Sequence, residues 1–583
     1  MGTPNTPPTT ASNSIDQASP TKSAATLSIR HVSGESTPPP TGPSRLHTND
    51  QTSQNAAITT PHDTQWLTGT PLAIISSLIA TAVFLMMLDA SIISTAIPRI
   101  TDTFHSLPDI GWYASIYQLS SAVLQPLSGR IYQRFPNKPS FLTFLFLFEL
   151  GSLICGAASS SAMLIAGRAV AGMGSAGLVT GGLTIIAASA PLHKRAALVG
   201  VIMGVGQMGL AIGPLLGGVL TSYVSWRWCF YVNLPVGGLL VLGLGLASVP
   251  EQCPKPSARR VWRSLQSELD LPGLALLAPA AVQLLLALEW GGSRYSWGSV
   301  TVVGLFCGSA VAAWFWFLWN WFRGDAALMP VSLMRVRAVW TGAITHCLIM
   351  TGVFCASFFL PIYFQAVKGV TPMMSGVCVL ASVLSQLVAL PLAGRMVELT
   401  GYVIPFALFS AIAGAVSNGL YSTLSPATST AQWIGYQVLN GFGRGVGMPM
   451  AVLAVQAALP PHDLAMGNAI IMFVQTLGTA ITLAASDAIF EGSLEAELPL
   501  RAPRVNAAAV LAAGATHFRE IVAESDLPGV VAAYAASVDR VFYLAAGASV
   551  VAAFSCLGLE WVDMREKERL SAGDDVPLEE YEG

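Results

Sequence analysis

GVIMGVGQMGLAIGPLLGG, residues Gly200–Gly218, sets Gly209, Gly213 and Gly217 four residues apart, beside a Gly213-Pro214 step and a closing Gly217-Gly218 pair. In water this is a poor helix, because an interior glycine costs about 1 kcal/mol relative to alanine and an interior proline about 3. Inside a bilayer the backbone groups have to be satisfied within the segment, so the stretch stays helical, and small residues four apart let a second backbone come close. Pro214 removes one backbone donor beside that ladder. The stretch predicts a bent, close-packed membrane helix at a moving interface, with Gly200, Gly209, Gly213, Pro214, Gly217 and Gly218 as its conformational residues.

The rest of the chain is of the same kind. Of its 583 residues, 53% are hydrophobic and 10% charged, with a mean hydropathy of +0.59, where a soluble protein carries about 25% charged residues. A net charge of −3, with no basic run interleaved with aromatics, excludes a nucleic-acid partner. Seven of the eight cysteines lie in or beside apolar segments and Cys253 lies in a polar loop, a pattern of neither disulfides nor a zinc site. The histidines are scattered, and neither a metal nor another cofactor is expected. Residues Gly172–Gly177 match the dinucleotide pattern G-x-G-x-x-G, but inside an apolar segment with no preceding strand, where helix packing explains them. There is no Walker loop either, so the chain is not expected to be an enzyme or an ATP-driven pump.

Residues 1–68 are rich in Ser, Thr, Pro, Asn and Gln and predict a disordered cytoplasmic tail. Segments long enough to cross about 30 Å of hydrocarbon follow at 71–97, 111–129, 140–158, 162–188, 196–220 and 231–249. A cytoplasmic loop at 250–271 separates these from two more, at 272–290 and 299–321. The remaining six lie at 340–364, 373–393, 402–424, 431–455, 468–490 and 540–560, with a long outer loop at 491–539 before the last and a tail at 561–583. Lys and Arg concentrate in the segments that are internal when both termini are cytoplasmic. Leu127-Ser128-Gly129-Arg130-Ile131 is echoed 265 residues later by Leu392-Ala393-Gly394-Arg395-Met396, and Gly172-Met173-Gly174 269 residues later by Gly441-Phe442-Gly443. Such offsets imply a parallel duplication. The expected fold is an all-α membrane protein with two six-helix halves, 71–249 and 340–560, plus two inserted helices within 272–321.

Six plus two plus six spans with a glycine-proline fifth span resembles the major facilitator superfamily, specifically the fourteen-span drug:proton antiporters common in fungi. Gly200–Gly218 fits that family's antiporter signature, and Leu88-Asp89-Ala90-Ser91-Ile92-Ile93 is similar to its first-span motif. Arg168 with Gly172 and Gly174 resembles the fourth-span motif, and Trp226-Arg227-Trp228 with Phe230–Pro235 resembles the turn into the sixth. Leu360–Gln365 with Ser375-Gly376 is similar to the ninth-span exit. The loop after the second span departs: Gln133 stands at the acid's place, Pro136 at the glycine's and Asn137 at a basic residue's, while Arg130, Arg134 and Lys138 remain. The family's charge-linked latch is thus left without its acid. The resemblance implies proton-coupled export of small organic compounds such as toxins, drugs or secondary metabolites, by a monomer in the plasma membrane.

A charged residue inside a span is costly enough to indicate function. Asp89 lies about 13 Å deep in the first span and Arg168 about 9 Å deep in the fourth, at about 1.5 Å per residue, so the two can meet. With Glu149 in the third span they form the proton-coupling candidates. Uncharged polar residues supply the candidate substrate contacts: Tyr117, Gln118, Gln207, Gln365, Gln437, Asn440 and Gln475. Arg444 at a central position points toward an acidic or carbonyl-rich substrate, whereas Glu289 and Asp487 fall near span ends and read as solvated. Trp314, Trp316, Trp319 and Trp321 read as an interfacial belt. Two other functions fit the same spans: vacuolar transport of basic amino acids or of a metal chelate, and a membrane receptor or scaffold that transports nothing.

Overall fold

The computed structural model describes residues 66–105, 109–256, 268–292 and 294–567. The expected tail up to residue 65, the end of the tail beyond 567 and residues 257–267 of the 250–271 loop lie outside the described residues.

Apolar sequence of sufficient length becomes helix throughout. The first half comprises α1 (Thr70–Phe104), α2 (Ile110–Arg134), α3 (Asn137–Gly156), α4 (Ser161–Ser189), α5 (Leu192–Tyr223), the short α6 (Trp228–Tyr231) and α7 (Asn233–Leu246). Next come the inserted pair, α8 (Leu271–Trp290) and α9 (Val300–Arg323), and the five-residue α10 (Val331–Arg335). The second half comprises α11 (Arg337–Ile362), α12 (Pro372–Thr400), α13 (Ile404–Tyr421), α14 (Thr430–Gly447), α15 (Met450–Ala458), α16 (Leu464–Arg501), α17 (Ala507–Ile521) and α18 (Leu527–Cys556).

Among the described residues, 13 helices are long and apolar enough to cross a membrane. Helix α2, the expected span 111–129, is 25 residues long but is not among them. The cause is its polar face. Gln125 Nε2 donates to Thr180 Oγ1 at 2.9 Å, Ser128 Oγ donates to the same atom at 3.0 Å, and Ser175 Oγ donates to Ser121 Oγ at 3.1 Å. These hydroxyls and amides tie α2 to α4 and lower its hydropathy without exposing it to lipid.

The segment expected as a loop, 491–539, is mostly helical: α16 continues to Arg501, α17 follows, and α18 begins at Leu527 rather than near 540. Alanine-rich sequence favours helix, and Glu497 joins α16 to α18 by pairing with Arg501 at 2.7 Å and Arg540 at 2.6 Å. Phe518 of α17 stacks on Tyr534 at 4.8 Å. The charged residues that interrupt the apolar pattern are the ones that fasten this cap.

The two halves meet where α5 lies on α12 and α2 lies on α16. The quoted glycine stretch divides its work between them. A Cβ at Gly209 would come within 2.5 Å of Phe84 O, one at Gly217 within 2.5 Å of Ile92 O, and one at Gly213 would overlap Ser91 Oγ, so the ladder seats α5 on α1. The approach to the other half is made by Gly200 and Gly204, against Leu390 and Leu387 of α12. The ladder thus packs within its own half, and the Gly200 end of the stretch makes the approach to the other half. Pro214 sits inside the continuous helix, and Gly218 faces open space.

Candidate functional site

Asp89 and Arg168 meet in the first half. Arg168 Nη1 donates to Asp89 Oδ2 at 2.5 Å, and the two side chains are 0% and 1% exposed. Helix α1 brings the acid there because Leu85, Leu88 and Ile92, on neighbouring turns, are all buried. Further contacts hold both members of the pair. Arg168 Nε donates to Tyr113 O at 3.0 Å, its guanidinium lies 4.3 Å from the Tyr117 ring centroid, and Asn233 Nδ2 donates to Asp89 Oδ1 at 3.1 Å. A buried ion pair holds only with such further bonds, since desolvation otherwise outweighs the attraction.

Glu149 packs beside this network. Its carboxyl fills the space left by the missing side chain of Gly237 on α7, and both oxygens are buried without a hydrogen-bond partner among the described residues. It points into the bundle rather than toward lipid. Asn233, the first residue of α7 and part of the Phe230–Pro235 motif, reaches both Asp89 and Ser152, one turn of α3 from Glu149. Sequence reasoning placed this asparagine only in a turn.

A cavity of about 890 Å³ extends from Ala90 and Arg168 to Trp112 and Arg294 at the end of the bundle where α1 passes into α2. Of the seven substrate candidates, Tyr117 and Gln118 line it and the other five do not. Gln475 is hydrogen-bonded to the His346 ring at 2.9 Å, Gln365 Nε2 donates to Ser375 Oγ at 2.9 Å, and Asn440 Nδ2 donates to Ser417 Oγ at 2.9 Å. Gln437 is fully buried with neither amide atom paired among the described residues, and Gln207 is half-buried on α5. Arg444 also lies away from the cavity and donates to Gln386 Oε1. The walls come instead from Phe354 and Phe358 of α11, Thr476 and Thr479 of α16, and Leu285 and Trp290 of α8. Glu289 and Asp487, read as solvated ends, stand on this lining too.

The opposite end, where α2 passes into α3, is shut across the halves. Gln133 Nε2 donates to Asp463 Oδ1 at 3.0 Å, and Arg134 pairs with Glu268 at 3.1 Å. Arg130 donates to Asp325 O at 2.8 Å and to Ala327 O, beyond α9. The acid missing from the first half at position 133 is therefore met by one from the second half, with an amide opposite it. Burial pushes the Asp463 carboxyl above the usual carboxylate range, and the nearby His462 and Arg130 pull it back.

Helices packed as two halves, closed at one end, with a charge pair beside the cavity at the other, define a multi-pass membrane transporter. The family profile of the Major Facilitator Superfamily matches residues 79–482 and 342–579, and the chain belongs to that superfamily. The MFS-type transporter pigP of Monascus ruber is 50% identical over 517 residues, which span 88% of this chain and 90% of that protein. The efflux pump mlcE of Penicillium citrinum is 44% identical over 538 residues, 90% of this chain and 97% of that one. The fold is also shared with the human organic anion transporter MFSD10, at a TM-score of 0.56 and 13% identity over 84% of this chain and 100% of that one. The proton:xylose symporter XylE matches with a TM-score of 0.54 and 13% identity, over 85% and 98%. The resemblance read from the motifs is thus confirmed: the chain is a transporter of the fungal efflux type, not an enzyme.

Proposed function

We propose that this protein exports small, largely apolar organic compounds across the plasma membrane in exchange for protons, as a monomer with both termini cytoplasmic. The observation that carries the reading is the position of Arg168, which lines the cavity while holding the buried Asp89 carboxylate. With cytoplasmic termini the α1–α2 end is external, so the cavity faces outward and the Gln133–Asp463 contact closes the inner side.

A proton arriving from outside and settling on Asp89 cancels the charge that holds Arg168. The guanidinium then loses its counter-ion, and the outward arrangement loses the bond that joins α1 to α4. Closing of the outer end with opening of the inner end exposes the pair to the cytoplasm, where Asp89 gives up its proton and a compound is taken up. Reforming the pair favours the return. Glu149, with no donor to either oxygen, holds a proton in this conformation and is the second acid of the coupling set, since an ionised carboxylate without a partner is far too costly there. The glycines of α5, which seat it on the same segment of α1, transmit the movement. The efflux pumps among the relatives support export as its direction.

Cells expressing the protein should accumulate less of an apolar toxin than cells without it, and dissipating the proton gradient should erase the difference. Equal accumulation in both cells, or a difference that survives the loss of the gradient, would refute proton-driven export.

A further inference from the structure

The inserted pair is the part of the chain that the six-helix duplication does not account for. Helix α8 is held at both ends. At its start, buried Asp270 accepts from Leu328 N at 2.6 Å and from Trp319 Nε1 at 2.9 Å. At its other end, Trp290 meets Trp112 of α2 edge to face at 6.0 Å. One face of α8 is fixed to α9, where Ser309 Oγ donates to Ala280 O at 2.8 Å and the Gln283 amide occupies the space above Gly308. The face carrying Leu285, Leu288 and Glu289, at i, i+3 and i+4 on a helix, lines the cavity.

The two members of the pair have opposite surroundings. Helix α9 presents Val300, Phe315 and Phe322 to the outside, 91%, 55% and 83% exposed, as a lipid-facing helix does. Helix α8 packs on both α2 and α16, one from each half, and closes the gap between them along the cavity. A pair serving only to anchor the chain would turn its leucines to lipid; Leu285 and Leu288 instead face the space a transported compound would occupy.

We propose that this face of α8 is the selectivity wall of the transport cavity. The site takes an amphiphile whose apolar flank lies on Leu285 and Leu288, with its polar edge turned to Gln118 of α2 and Thr479 of α16, the helices that flank α8 on the same lining. The wall sorts compounds by the bulk of that flank, because an apolar surface discriminates through fit and distinguishes additional methylenes by about tenfold or more. The proposal rests on the export reading and adds the substrate class and the residues that sort it.

The test uses neutral fluorescent dyes that share one headgroup and carry alkyl chains lengthened from ethyl to octyl. Efflux from cells and binding to the purified full-length protein are measured for wild type, Leu288→Trp, Leu288→Ala, Leu285→Ala and the lipid-facing control Val311→Ala. Leu288→Trp should lower octyl relative to ethyl efflux by about tenfold, and the two alanine variants should raise it. Binding should follow the same ranking, and Val311→Ala should keep the wild-type order. If Leu288→Trp does not fold, the alanine variants carry the test. Efflux whose ranking ignores positions 285 and 288 would overturn the wall and leave export standing. Binding ranked by those positions without any efflux would overturn export and leave the wall. Neither binding nor efflux of any dye would overturn both.

Discussion

Asn233 Nδ2 stands 3.1 Å from Asp89 Oδ1 and 3.1 Å from Ser152 Oγ, so one amide joins α1, α3 and α7 at the buried acid. The Asp89–Arg168 pair is therefore held by a third residue, and the geometry of the pair depends on where α7 begins. The Trp226–Pro235 motif has a structural task in this chain: it delivers the asparagine.

Replacing Asn233 by alanine removes that donor while sparing both charges. The loss of a buried hydrogen bond to a charged group costs about 1.5–3 kcal/mol. Asn233→Ala should lower the unfolding midpoint of the detergent-purified protein and reduce efflux, whereas Asn233→Gln should restore part of both. A melting curve identical to wild type would show that the contact carries no weight.

The glycines of α5 make a graded prediction. Side chains at Gly213 overlap Ser91, two residues from Asp89, but Gly218 faces open space. Gly213→Leu should abolish transport, with a stability loss of the order of 1–3 kcal/mol expected for overpacking, and Gly218→Ala should transport as wild type. Efflux surviving Gly213→Leu would reduce the ladder to filler.

At the closed end, Asp463 sets a pH dependence outside the membrane. Its folded carboxyl titrates above the ordinary range because it is buried. Within the window between the ordinary and the raised value, the folded chain holds more protons than the unfolded one, so this group's contribution to stability falls as pH rises through it. Asp463→Asn cannot titrate and keeps an acceptor for Gln133. The difference between variant and wild-type melting temperatures should therefore grow in the variant's favour as pH rises above the ordinary carboxylate value of about 4, and a constant difference would contradict the assignment.

The sequence made some of this legible and hid the rest for identifiable reasons. Asp89 and Arg168 stood out because ionised residues are rare in apolar spans, and a residue so costly has to find a partner. Asn233 did not, since an amide beside a turn motif carries no comparable penalty. Gln365, Asn440 and Gln475 read as substrate contacts by their polarity, yet their groups are spent on Ser375, Ser417 and His346. Which face of a helix meets a cavity depends on its rotation, which composition does not encode. Phe354, Phe358 and Trp290 looked like ordinary span residues for the same reason. Position 133 shows the opposite case: the missing acid suggested a lost latch, while its partner Asp463 lay 330 residues away. Trp319 reads in the sequence as part of an interfacial belt, and its indole instead donates to Asp270.

The central claim is that export is driven by protons through Asp89. It is tested most directly in vesicles reconstituted with the purified protein and loaded with a pH-sensitive dye, to which an exported compound is added on one side. Wild type should move protons only when the compound is present, and Asp89→Asn should abolish that compound-dependent flux. A flux of equal size with and without compound, or one that Asp89→Asn leaves intact, would contradict the account.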